Sequence, residues 1–203
     1  MPVRVTRITL SRKICKTMKE NVYTIETMRP EDIPEVLRLE REAFGQMAWH
    51  ADDFESAISS KCDFPLVIRA IAAVSGTMQA HTPSAEPATT TNPKPMQAGA
   101  VQDAGTDSSG LAGYAVLRII APEAEIENIC VAPACRRSGV GETLMTEMLR
   151  LAAERDAERI FLEVRAHNEP AKALYLKSGF VESYRRKNYY QGPTEDAIIM
   201  MKE

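Results

Sequence analysis

The spacing of hydrophobic positions changes period several times along the chain, and each change marks an element. Tyr23-Thr24-Ile25-Glu26-Thr27-Met28 alternates with the two-residue period of a half-buried strand. Arg29-Pro30-Glu31-Asp32 then leads into Ile33, Val36, Leu37, Leu39 and Phe44 at helical spacing, so a helix follows the strand. A second helical stretch runs through Phe54, Ala57 and Ile58, and the continuous apolar run at 66–74, opened by Phe64-Pro65, predicts a buried strand. From Ser75 to Gly110 the composition turns to Ala, Thr, Ser, Pro and Gly, with Pro83, Pro87, Pro93 and Pro95 breaking any regular element. A flexible low-complexity insertion is expected there. Leu111 to Ile120 resumes as a strand, so the insertion decorates a hairpin, a cost that grows only slowly with loop length.

The second half is more regular. Glu125 to Val131 predicts a strand ended by Pro133, followed by a short loop bearing Arg and Gly. Val140, Leu144, Met148 and Leu151 share one face of a helix that begins near Val140, with Glu142, Glu147, Arg150 and Glu154 on the wet side. Ile160 to Arg165 predicts the next strand, and Asn168 caps a helix carrying Ala171, Leu174, Tyr175 and Ser178, stopped by Gly179. Phe180-Val181 and Asp196 to Met201 supply two final strands. The order β-α-α-β-β-β-α-β-α-β-β describes an α/β fold, a mixed central sheet flanked by helices, in a single domain over 22–203.

Composition narrows the function class. The chain has 203 residues, 44% of them hydrophobic and 26% charged, the balance of a globular protein with a sizeable core. A formal net charge of -3 provides no basic field for nucleic acid, which is excluded as a main partner. No apolar run reaches the roughly 18 residues of a membrane span, so no membrane partner is expected. Cys15, Cys62, Cys130 and Cys135 contain no C-x-x-C pair, and with only His50, His81 and His167 to join them no metal site is expected. Reduced thiols in a cytoplasmic protein, acting as a monomer, fit best. Arg4, Arg7, Arg12, Lys13, Lys16 and Lys19 precede the first acid, Glu20, so 1–21 reads as a basic, mobile extension with no catalytic role.

The chemistry centres on Arg136-Arg137-Ser138-Gly139-Val140-Gly141, set between a strand and an amphipathic helix. Two glycines let the backbone turn tightly, so that several N–H groups converge on one anionic group at the helix start. No Gly-Lys-Ser/Thr ends the loop, and Leu144 stands where a dinucleotide fingerprint needs its third glycine. The pattern is R-x-x-G-x-G after a strand ending Asn128-Ile129-Cys130-Val131-Ala132-Pro133. It resembles the acetyl-CoA pyrophosphate loop of the GNAT acetyltransferases. With Leu162-Glu163-Val164-Arg165-Ala166-His167-Asn168, Ala173-Leu174-Tyr175, Ser178-Gly179-Phe180 and Arg185-Arg186-Lys187-Asn188-Tyr189-Tyr190, the chain resembles the RimI branch of that family. Those enzymes acetylate the N-terminal alanine of a small-subunit ribosomal protein. The likeness is close from Glu125 to Met201 and weaker from Tyr23 to Val74.

The resemblance implies the GNAT fold, acetyl-CoA as co-substrate, and a protein N-terminus as acceptor. The strand that pairs with the pantetheine arm falls on Ile129, Cys130 and Val131, and the pyrophosphate loop and helix start fall on Arg137, Ser138, Gly139, Val140, Gly141 and Glu142. Asn168 matches an asparagine that contacts the cofactor, Glu163 matches the general base, and Tyr175 matches the general acid. Glu125 is the alternative base, His167 reads as a loop residue, and the Cys130 side chain as a core filler. Arg185, Arg186 and Lys187 lie in the hairpin that flanks the peptide site in RimI-like enzymes. Phe44-Gly45-Gln46-Met47-Ala48-Trp49 departs from the family's Phe-x-x-Pro-Trp turn by lacking the proline. A lysine or small-amine acceptor is therefore the rival reading, and a non-catalytic acyl-CoA-binding module the rival of another class.

Overall fold

Three continuous apolar strands and two amphipathic helices in the second half can bury their faces only by stacking helices on a sheet, and both halves of the chain join in one sheet. The computed structural model describes residues 13–16, 22–71, 110–191 and 193–203. Apart from Gly110, the insertion expected at 75–110 lies outside them. In chain order the elements are β1 (Lys13–Lys16), β2 (Val22–Thr27), α1 (Ile33–Phe44), α2 (Ala51–Ser59), β3 (Asp63–Ala70), β4 (Leu111–Ile120), β5 (Glu123–Val131), α3 (Val140–Ala153), β6 (Arg159–Arg165), α4 (Glu169–Lys177), β7 (Val181–Tyr190) and β8 (Glu195–Lys202). Among the described residues they form an eight-stranded sheet of order β1-β2-β3-β4-β5-β6-β8-β7. All neighbours are antiparallel except β5 and β6.

Two cores lie on opposite faces. Leu144, Met145 and Met148 of α3 and Tyr175 of α4 pack against Ile68, Leu117, Ile126, Leu162 and Val164. On the other face Val36 and Leu37 of α1 and Phe54 of α2 pack against Val67, Tyr114, Val116 and Cys130.

The strand register contains one irregularity that matters for function. Between β4 and β5 it passes from Val116 opposite Asn128 to Leu117 opposite Ile126, leaving Glu127 as an extra, bulged residue. Because side chains alternate between faces, one extra residue exchanges the faces beyond it. Ala124 and Ile126 sit in the α3/α4 core, Cys130 sits in the α1/α2 core, and Ile129 and Val131 pack on the α3/α4 side.

Two elements and one side chain differ from expectation. Lys13–Lys16, inside the segment read as mobile, pairs in antiparallel register with β2, whose outer edge would otherwise leave its backbone donors and acceptors unpaired. β7 runs ten residues where only Phe180-Val181 was read as strand. It is the sheet's last strand and nearly all its residues are exposed, so no apolar alternation marks it. Glu147 is buried in α3 instead of wet, with Arg150 Nη2 2.5 Å from its Oε1.

Gly113 on β4 makes the close approach of β4 to β5 possible, since a Cβ there would lie 2.5 Å from the Cys130 carbonyl oxygen. Backbone cannot yield as a side-chain tip does. Gly113→Ala should therefore cost about 1–3 kcal/mol, read as a lower denaturation midpoint in urea with an unchanged slope.

Candidate active site

The parallel pairing of β5 with β6 is short. It runs from Glu123 opposite Arg159 to Ile126 opposite Leu162 and then stops. Both strands continue, β5 to Val131 and β6 to Arg165, held only by their outer neighbours β4 and β8. Separation begins at the Glu127 bulge. Along Glu127–Val131 the edge of β5 that faces β6 therefore presents backbone donors and acceptors without a strand partner. Ile129, Cys130 and Val131, read from sequence as the cofactor strand, lie in this open half.

The two candidate proton carriers approach the opening from different faces. Leu162 and Val164 belong to the α3/α4 core, so Glu163 between them projects to the α1/α2 face. Tyr175 lies in the α3/α4 core, 5% exposed, its ring 6.2 Å from Phe180. Burial first, and then the neighbouring Cys130, push its hydroxyl well above the ordinary tyrosine value. The Cys130 thiol is pushed up to about 12, chiefly by burial and next by the negative charge of Glu40. Such a thiol is an inert core group, as expected of this side chain.

Glu163 is held by residues that sequence reasoning did not connect to it. Its Oε1 accepts a hydrogen bond from Tyr190 Oη at 3.0 Å, and its Oε2 faces Arg186 Nη1 at 3.1 Å. The Arg165 guanidinium stacks on the Tyr190 ring, 4.1 Å from its centroid, and pairs with Glu195 Oε2 at 3.1 Å. Glu195 Oε1 also accepts from the His167 amide at 2.7 Å, the largest influence holding this carboxyl below the usual carboxylate range. Arg186 is exposed at the surface and pairs with Glu163. The Asn188-Tyr189-Tyr190 motif and the acids Glu195-Asp196 contained the signal, but only the β7–β8 hairpin brings Tyr190 opposite Glu195.

The expected phosphate loop has the geometry of an anion cradle. Arg137 at φ 63 and Gly139 at φ 91 both take left-handed backbone, the alternation that turns successive amides inward. Behind them the first-turn amides of α3 have no acceptor within the helix. Ser138 Oγ donates to the Cys135 carbonyl at 2.5 Å and lies 3.2 Å from Tyr23 Oη, which fastens the loop to β2. Val140 is fully buried. The Glu142 carboxylate pairs with Lys177 Nζ at 2.6 Å and joins α3 to α4, and the Asn168 carbonyl oxygen accepts from the Ala171 amide at 3.2 Å as an α4 cap. Glu125 is exposed on β5, and the His167 ring lies 3.0 Å from Glu195. Among the described residues no three His, Cys, Asp or Glu side chains are grouped to hold a metal ion, and no helix is long and apolar enough to cross a membrane.

Comparison with known proteins identifies the family and the fold. Residues 72–180 match the Acetyltransferase (GNAT) family. The [Ribosomal protein bS18]-alanine N-acetyltransferase of Escherichia coli K12 is 39% identical over 99 residues, 47% of this chain and 66% of that enzyme. A Bacillus subtilis protein is 46% identical over 90 residues, 44% of this chain and 60% of its own length, so the match spans less than two thirds of either relative. The crystal structure of the Escherichia coli ribosomal-protein-S18-alanine N-acetyltransferase superposes with a TM-score of 0.63 at 25% identity, covering 89% of this chain and 92% of that one. Arabidopsis thaliana NAA60 in complex with acetyl-CoA shares the fold, with a TM-score of 0.64 at 14% identity over 88% of this chain and 97% of that chain.

A β-branched side chain at φ 91 is strained, so it would distort the loop backbone. Gly139→Val should raise the dissociation constant for coenzyme A by about 10-fold or more, as loss of a phosphate contact worth roughly 1.5–3 kcal/mol would. Calorimetry reads this directly, and unchanged binding would remove the loop from the site.

Proposed function

The chain belongs to the GNAT acetyltransferase family, and from that premise we propose that it transfers acetyl from acetyl-CoA to the α-amine of an N-terminal alanine, the acceptor being a small-subunit ribosomal protein. The observation that carries this reading is the opening between β5 and β6, with Glu163 on one face and Tyr175 on the other. A thioester laid along the open edge of β5 lies between them.

Each residue then has a task. An N-terminal amine of pKa about 7.7–8.0 is mostly protonated at pH 7, so it must lose a proton before it attacks. Glu163 takes that proton, directly or through water, on the acceptor face. The amine nitrogen bonds to the thioester carbon, and the oxygen that gains negative charge is met by backbone N–H groups at Cys130 or Val131, a stabilisation of about 3 kcal/mol. The nitrogen gives up its second proton to solvent as the carbon–sulfur bond breaks, and the thiolate takes a proton from the Tyr175 hydroxyl, which solvent then restores. Burial favours the neutral form of both groups. Burial raises the Tyr175 hydroxyl and in the same way favours protonation of a thiolate released beside it, so the basicity of the acceptor rises with that of the donor. No covalent enzyme intermediate is invoked, because the Cys130 thiol is buried and raised.

Arg137, Ser138, Gly139, Val140, Gly141 and Glu142 hold the pyrophosphate of acetyl-CoA chiefly through their amides, Ile129, Cys130 and Val131 pair with its pantetheine arm, and Asn168 sets the start of α4 from which Tyr175 projects. A monomer in the cytoplasm, where these thiols stay reduced, completes the reading.

The test is mass spectrometry of the protein with acetyl-CoA and two peptides, one with a free N-terminal alanine and no lysine, the other blocked at its N-terminus with an internal lysine. One acetyl group on the first peptide alone is expected. Modification of the second alone would transfer the reading to a lysine acetyltransferase, and binding of acetyl-CoA without transfer to any amine would leave an acyl-CoA-binding module. Tyr175→Phe should lower kcat by about 100-fold or more while the dissociation constant for acetyl-CoA stays within about twofold, since the proton is needed only as the thiolate leaves. An unchanged kcat would sink the assignment of the acid.

A further inference from the structure

Glu40 stands on the buried side of α1, 1% exposed, among Ile33, Val36, Leu37 and Leu39. Its Oε1 accepts two hydrogen bonds, from the Trp49 amide at 2.8 Å and from Asn128 Nδ2 at 3.2 Å. The Tyr114 hydroxyl donates to Asn128 Oδ1 at 3.4 Å, and the rings of Trp49, Phe54 and Tyr114 contact in sequence at 5.2 and 5.6 Å between centroids. Glu40 Oε2 is buried with no hydrogen-bond partner among the described residues. Burial pushes this carboxyl above the usual carboxylate range despite its two donors. A hydrocarbon of the same size would fill the space without that cost, but it offers no acceptor to bridge a loop amide and a strand side chain.

The two bridged partners lie on different parts of the cleft. Asn128 is in the open half of β5, immediately before Ile129, Cys130 and Val131. Trp49 closes the connection between α1 and α2, on the sheet face to which Glu163 projects. Besides this bridge the connection is anchored by the Trp49 ring against Phe54, while Phe44 and Met47 are exposed and a Cβ on Gly45 would meet nothing within 4 Å.

We propose that Glu40 is a positioning residue for the acceptor: by bridging the Trp49 amide and the Asn128 side chain it locks residues 45–50 onto the open half of β5 and sets the acceptor-side wall of the cleft. This inference rests on the acetyl-transfer reading for its kinetic consequence. Its structural part does not, because Trp49 is the single tryptophan of the chain and its fluorescence reports the connection whatever the acceptor.

The experiment compares Glu40→Met, which fills the space and removes the bridge, with Glu40→Gln, whose carbonyl oxygen keeps both donors satisfied. Glu40→Met is expected to leave the melting temperature at or above that of the parent, red-shift Trp49 emission, and raise KM for the N-terminal-alanine peptide about 10-fold with kcat and the acetyl-CoA KM within about twofold. Glu40→Gln is expected to retain parental emission and a peptide KM within about threefold of the parent. Unchanged emission and peptide KM in Glu40→Met would overturn the proposal, as would a parallel rise in both KM values or failure of Glu40→Gln to restore them. Should Glu40→Met not fold, the same readouts on Asn128→Ala, which cuts the bridge at the strand, decide the matter. Absence of transfer by the parent protein would sink only the acetyl-transfer reading, since Trp49 emission is measured without an acceptor.

Discussion

Two parallel strands that pair for four residues and then part impose the central constraint on this protein. Beyond Ile126 and Leu162 neither β5 nor β6 can satisfy its facing backbone from the other, and an open edge inside a sheet is costly unless water or a ligand meets it. The Glu127 bulge marks where the parting starts, and by inserting one residue it also exchanges the faces of β5. Asn128 and Cys130 consequently address the α1/α2 layer while Ile129 and Val131 address α3 and α4. Without the extra residue the open half of β5 would present the opposite side chains to each layer.

Charge keeps the bulge in place. Arg118 on β4 binds the buried Asp63 at both oxygens, at 2.7 and 2.9 Å, and reaches Glu127 Oε1 at 2.9 Å. Burial raises the Glu127 carboxyl, and Arg118 is the influence that opposes it. Removal of the guanidinium would leave two largely buried carboxyls without a counter-charge at the point where the strands separate. On the far side of the opening, Glu195, Arg165 and Tyr190 form a comparable succession of contacts that ends on Glu163. The groups nearest the proposed chemistry are thus held by partners drawn from β4, β7 and β8.

Much of this was legible in the residues. Periodic patterns locate α1, β5, α3 and β6 nearly to the residue because each of these buries one whole face, and a continuous apolar run does the same for β4, which is buried on both. In the R-x-x-G-x-G loop the left-handed backbone at Gly139, followed by the start of α3, was likewise legible from residue type. β7 escaped because an edge strand buries neither face, and Glu147 escaped because an arginine one turn away covers a carboxylate that periodicity alone leaves wet.

By itself, then, the sequence determined most of the helices and strands and the two left-handed turns ahead of α3, properties set within a few consecutive residues, while Glu163 and Tyr175 were singled out by resemblance to a family and not by local pattern. Tertiary structure alone decided the Glu127 bulge, the parting of β5 from β6, the arrival of Tyr190 and Arg186 at Glu163, and the bridge from Glu40 to Trp49 and Asn128. Each of these depends on register between strands or on contact between residues as far as 88 positions apart. Local periodicity contains no information about register until both strands and their turns are in place, and a buried carboxylate becomes meaningful only once its partners are assembled around it.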